Sequence, residues 1–189
     1  MTHCFCSFAP LVQPASLNSS WAVNCMNIDQ ILSVFEKHSV DCLLIGGVNF
    51  LLNHVPEMTY DVDLWVQDHD QNLQKTNAAL KELQAEWGPT ENDWRPVHPE
   101  HDWLRRQPVF CLTSPHGAID IFRAVKGLEG KYDECKKRAL RRTTATGIGY
   151  TSLSDEDMLQ CQLALPEAAR KLGRVEALKR SIANRGSNG

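Results

Sequence analysis

The chain has 189 residues, 42% hydrophobic and 23% charged, with a formal net charge of -3. That is the composition of one ordinary globular domain with appendages; it excludes a strongly basic nucleic-acid-binding module. No apolar run reaches the length of a membrane span.

Residues 1–25 mix Pro, Ser, Asn and Cys without a period. There is no charged n-region before an apolar stretch, so the segment reads as a disordered arm or as the product of an upstream start codon, not as a secretory leader. Asn27 or Asp29 is placed to cap a helix with Ile28, Ile31, Leu32 and Phe35 on one face. Asp41 to Ile45 reads as a buried strand that ends at Gly46-Gly47. Val48 to His54 is then a short apolar helix, closed by Pro56. Tyr60 to Gln67 is a second strand. Asp68 to Trp87 is an amphipathic helix carrying Leu73, Ala79, Leu80 and Leu83, and Glu91 to Asp102 is a loop.

Leu104 to Leu112 and Ala118 to Ala124 are strand-like and joined by the turn Ser114-Pro115-His116-Gly117, which predicts a hairpin. Tyr132 to Leu140 is a basic helix, and Arg141 to Thr151 an extended segment. Ser154 with Asp157 forms a capping-box pattern at the start of another helix, and Pro166 begins a last one. The predicted organisation is an extension over 1–25, an α/β (α+β) domain over 26–151, a helical segment over 152–184 and a disordered tail over 185–189. The seven cysteines contain no Cys-x-x-Cys pair. They predict a reducing, cytoplasmic setting without disulfides, with Cys42, Cys111 and Cys161 as small core residues.

Three carboxylates stand inside apolar strands: Asp61 and Asp63 in Tyr60 to Val66, and Asp120 in Ala118 to Phe122. A buried charge is expensive unless it is paired or binds a cation. Strand residues two apart point the same way, so Asp61 and Asp63 share a face. A third carboxylate from another strand would complete an all-oxygen site for a hard cation, Mg2+ or Mn2+. A glycine turn beside it lets backbone N–H groups approach a phosphate. The set points to metal-assisted phosphoryl or nucleotidyl transfer. His98 and His101 lack two further ligands and are not read as a zinc site. Trp87, Trp94 and Trp103 read as packing residues.

The ordered pattern Leu43-Leu44-Ile45-Gly46-Gly47, then Thr59-Tyr60-Asp61-Val62-Asp63-Leu64-Trp65-Val66, then Asp120, resembles the nucleotidyltransferase superfamily with the polymerase-beta-like fold. Within it the chain is most similar to minimal nucleotidyltransferases and to AbiEii-type nucleotidyltransferase toxins. The resemblance implies a small mixed sheet flanked by helices and an NTP substrate. It implies two metal ions held by Asp61, Asp63 and Asp120, with Asp120 available to take the proton of an acceptor hydroxyl. It places Gly46, Gly47, Thr59, Arg123 and Lys126 at the nucleotide. It leaves the acceptor open among a protein, a tRNA end and a small molecule. It also leaves open a toxin restrained by an antitoxin or helical partner protein, and a catalytically inactive binding module. Two positions differ from the family pattern. Glu57 stands where many relatives carry arginine, and the helix before Leu165 has no lysine, the first one after it being Lys171. Arg123, Lys126 and the basic stretch Lys131 to Arg142 are the candidates to replace that charge.

Overall fold

In a computed structural model, residues 26–186 are described; the predicted extension over 1–25 and residues 187–189 of the predicted tail lie outside them. The chain folds as an α/β protein around a six-stranded mixed sheet. In chain order its elements are α1 (Ile28–Lys37), β1 (Cys42–Leu44), α2 (Gly46–Asn53), β2 (Asp61–Val66), α3 (Asp70–Glu82), β3 (Glu86–Trp87) and β4 (Arg95–Pro96). They continue with β5 (Val109–Leu112), β6 (Ala118–Phe122), α4 (Tyr132–Arg138), β7 (Leu140–Thr143), β8 (Gly149–Ser152), α5 (Asp155–Ala164) and α6 (Leu172–Gly186). The sheet order is β5-β6-β2-β1-β8-β7, and β3 with β4 forms a separate two-stranded ribbon.

Period-two alternation along β2 decides the architecture. Val62, Leu64 and Val66 enter one core with Ile31 and Phe35 of α1 and Leu73 and Leu80 of α3. Trp65 enters a second core on the opposite face, with Leu43, Leu128, Tyr132, Met158 of α5 and Leu178 of α6. Each fully buried side chain of this size contributes roughly 1.5–3 kcal/mol. Both faces of the sheet are thus covered, and Asp61 and Asp63 share the face of Trp65.

Helix α1 begins as predicted: the Asn27 side chain accepts the Gln30 N–H at 3.0 Å. Helix α2 begins two residues earlier than predicted, at Gly46 itself. Helix α3 ends five residues earlier than predicted. Gln84 adopts φ +53, the Ala85 N–H closes onto Leu80 O, and Glu86 then pairs with Thr113. This frees Trp87 to pack with Trp103 and Phe110. The predicted strand from Leu104 is shorter, because His101–Arg105 is a 3-10 turn. That turn buries Trp103, whose Nε1 donates to Asn77 Oδ1 at 2.8 Å. The predicted hairpin is present in antiparallel register, β5 with β6, its second strand ending at Phe122 rather than Ala124. The extended segment over 141–151 is a second hairpin, β7 with β8. Pro166 opens a 3-10 turn rather than α6, which starts at Leu172 and extends through Arg185 and Gly186. Among the described residues no helix is long and apolar enough to cross a membrane.

Candidate active site

Parallel pairing of β2 with β6 places Asp63 opposite Asp120, with Asp61 opposite Ala118. All three acids therefore emerge on one face, and each offers a carboxylate oxygen within 4.8 Å of the others. They form the one such cluster of potential metal ligands among the described residues. Burial pushes the Asp63 carboxyl up to about 7, helped by the charges of Asp61 and Asp120. Burial also raises the Asp120 carboxyl, against the thiol hydrogen bond from Cys111.

The glycine pair is built around this cluster. Gly46 sits at φ +63, and a Cβ there would lie 1.8 Å from Asp63 Oδ2. Only glycine tolerates both the conformation and the contact. The Gly47 N–H, in the first turn of α2, donates to Asp63 Oδ2 at 3.3 Å. A Cβ on Gly47 would meet Thr59 Oγ1 at 2.3 Å. Thr59 in turn donates to Asp61 Oδ1 at 3.3 Å. The turn thus approaches Asp63, and through Thr59 it approaches Asp61.

A cleft of about 330 Å3 opens beside these groups. It is bordered by Gly46, Gly47, Thr59, Asp61, Asp63 and Lys126, and across from them by α5 and the start of α6. Lys126 is in no ion pair among the described residues and lines this cleft. Arg123 is placed elsewhere. Its guanidinium donates to Asp68 at 2.7 and 2.9 Å and to the carbonyl of Leu104 at 2.9 Å, and it does not border the cleft. The Lys131 to Arg142 stretch is also committed in part. Lys136 pairs with Asp41, Arg138 with the buried Asp157 at 2.7 Å, and Arg141 with Glu36 at 2.5 Å.

Besides Lys126, the cations at the cleft come from α6 and the residue before it. Lys171 and Arg174 border it, and Arg174 is only 6% exposed, with its guanidinium over the Phe50 ring. Both reach Glu57, Lys171 at 2.6 Å and Arg174 at 2.7 and 3.2 Å. Burial works to raise the Glu57 carboxyl, but the hydrogen bonds and charges of Arg174 and Lys171 outweigh it and hold the group below its ordinary value. Sequence reasoning did not place Arg174, since it is more than fifty residues from the last acidic strand. The one signal for it was Glu57, an acid at a position that would ordinarily supply a cation.

Cys111 differs from its expected role. It is exposed on the edge strand β5, opposite Asp120 in register. Cys42, partly buried in the core, keeps that role, its thiol pushed by burial up to about 12. His101 pairs with Asp70 at 2.7 Å and holds no metal cluster among the described residues.

No protein-family model matches the chain, and no curated protein matches it by sequence. Among solved structures, it is similar to a Thermotoga maritima protein described as a "putative nucleotidyltransferase". The likeness covers 84% of this chain and 89% of that one, at 19% identity and a TM-score of 0.43. Similarity at that level carries no weight for activity, so function has to be read from this chain's own residues.

Proposed function

We propose that the cleft transfers a nucleoside monophosphate from a nucleoside triphosphate to an acceptor hydroxyl, releasing pyrophosphate. The observation that carries this reading is the convergence of Asp61, Asp63 and Asp120 within 4.8 Å on neighbouring parallel strands. The donor set is all oxygen and all acidic, which fits Mg2+ or Mn2+ and disfavours softer metals. The raised Asp63 carboxyl is the electrostatic counterpart, since three mutually repelling acids are relieved by a cation. Asp61, Asp63 and Asp120 would hold the ions; when bound, these would neutralise triphosphate charge and acidify the acceptor hydroxyl.

The chain's own groups supply the rest. Asp120, on the outer side of the pair beside the edge strand β5, would take the hydroxyl proton. Lys126, Lys171 and Arg174 would meet phosphate oxygens, the last two after leaving Glu57. The first turn of α2 adds partial positive charge at Gly46-Gly47. No feature of the described fold or cleft points to a restraining partner protein.

The test is incubation of the pure protein with each labelled NTP, Mg2+ or Mn2+, and a cell extract. The expected result is a labelled acceptor and free pyrophosphate, both lost in Asp63→Asn. A folded protein that binds Mn2+ but yields neither product with any NTP would remove the reading. A non-catalytic binding module is the second reading, favoured by one observation: Glu57 already pairs with both Lys171 and Arg174. It predicts NTP binding without product in the same assay.

A further inference from the structure

Part of the cleft lining is apolar. Phe122 and Val125 border it from the sheet side, and Met158 and Leu165 from α5 and the residue beyond it. Gln162 borders the same space and is only 7% exposed. Its side chain has a fixed sense, because Oε1 accepts the backbone N–H of Lys171 at 3.1 Å. The Nε2 amino group is the end left over, with two N–H donors. Nε2 has no hydrogen-bond partner among the described residues. The amino group opens to the cleft, where a ligand that displaces solvent could accept from it.

We infer that the apolar part of the lining forms a nucleobase pocket and that Gln162 is its reading group, donating from Nε2 to a carbonyl oxygen or unprotonated ring nitrogen on the base edge. The inference rests on the nucleotidyl-transfer reading and adds the part of the substrate that the carboxylates do not see. A ligand that fills this cleft must be anionic where Lys126, Lys171 and Arg174 face it. It must also present an acceptor on an apolar body where Gln162 faces it. A nucleoside triphosphate has both. The volume of about 330 Å3 lies within the range of small-molecule sites.

Two variants separate reading from structure. Gln162→Glu keeps an oxygen for the Lys171 N–H and removes the donor. Gln162→Met keeps the length and removes both. Titration calorimetry in Mg2+ would use non-hydrolysable analogues of the four NTPs, with tripolyphosphate as the base-free probe. Wild type is expected to bind at least one NTP analogue more tightly than tripolyphosphate. In both variants that preference should fall about tenfold, the worth of one good hydrogen bond, and the ranking of the four bases should change. Tripolyphosphate binding by Gln162→Met should stay close to wild type, which also reports that the cleft is intact. If Gln162→Met does not fold, the preference measured on Gln162→Glu decides. An unchanged preference in a folded variant overturns the pocket assignment and leaves the transferase reading standing. A wild type that binds neither tripolyphosphate nor any NTP overturns the transferase reading, and the pocket with it.

Discussion

Asp63 concentrates the electrostatic cost of the site. Its carboxyl, pushed by burial and by Asp61 and Asp120 up to about 7, binds a proton more tightly in the folded than in the unfolded chain. A raised acid therefore stabilises the fold at pH below its unfolded value near 4, and that stability is lost as pH rises toward 7. A tenfold difference in proton affinity between the folded and unfolded chain is worth roughly 1.4 kcal/mol, which is large enough to read in a melting curve. In metal-free protein the melting temperature is expected to fall between about pH 4 and 7 through this group, with Asp120 contributing in the same direction. Asp63→Asn should flatten that slope, melt no lower than wild type at pH 8 without metal, and abolish transfer. A clearly lower melting temperature would mean that Asp63 serves as a structural acceptor for the Gly47 N–H rather than as a ligand. Gly46 makes a second prediction at this scale. Gly46→Ala places a Cβ on Asp63 Oδ2 in a left-handed backbone that costs about 1–2 kcal/mol for other residues. Mn2+ binding, followed by electron paramagnetic resonance, should weaken at least tenfold. These residues were legible in the sequence because a charge inside an apolar strand is anomalous on its own terms.

Elements were legible where a local signal ended them and less so where tertiary contacts did. The caps at Asn27 and Ser154 were readable from side-chain chemistry, and both are present. The end of α3 was not, because Gln84 takes a positive φ without glycine, and what holds the chain beyond it is the Trp87–Trp103–Phe110 cluster. The start of α6 was misplaced for a related reason. After Pro166 the chain makes a 3-10 turn whose Arg170 donates to the carbonyls of Leu163 and Leu165, closing α5 before α6 begins. The basic stretch illustrates the same gap between pattern and placement. Arg138, read as part of a basic stretch that could replace charge at the nucleotide, pairs with Asp157 in the first turn of α5. Asp157 is 3% exposed and also accepts from Ser154 Oγ at 2.9 Å. Arg138→Ala would leave the buried Asp157 carboxylate with Ser154 Oγ and the Cys135 thiol as its remaining partners, at a cost of about 1–3 kcal/mol. Urea unfolding should show that loss, while Arg142→Ala, on the exposed hairpin strand β7, should stay within about 0.5 kcal/mol.

At the scale of the molecule, the sheet brings the acids together and the C-terminal helices complete the cleft. Topology explains why only the first half of this was visible in the sequence. The acids are fixed by strand register within one unit, whereas Lys171 and Arg174 arrive from the far end of the chain by way of helix packing. A hydrogen-bonding contact of Asp155 with His54, at the end of α2, at 2.9 Å and an ion pair with Arg185 at 3.0 Å hold α2, α5 and α6 together. Glu57 sits between the acidic strand and α6, paired with two cations that a triphosphate would also need. In the proposed reaction, phosphate would have to displace the Glu57 carboxylate before those cations could serve it, so Glu57 would lower nucleotide affinity while it steadies the free protein. Glu57→Gln should therefore bind a non-hydrolysable NTP with Mg2+ more tightly, by about three- to tenfold at low salt, the worth of a partly screened pair. The gain should shrink above about 0.5 M salt, where exposed charges are screened within a few ångströms. The same variant should melt lower than wild type without ligand, because Arg174 is then buried without its carboxylate. Saturating NTP should restore much of that loss through linkage. Calorimetry and thermal melts on one preparation would check both halves. Weaker NTP binding by a folded Glu57→Gln would instead show that Glu57 positions Lys171 and Arg174 for the nucleotide.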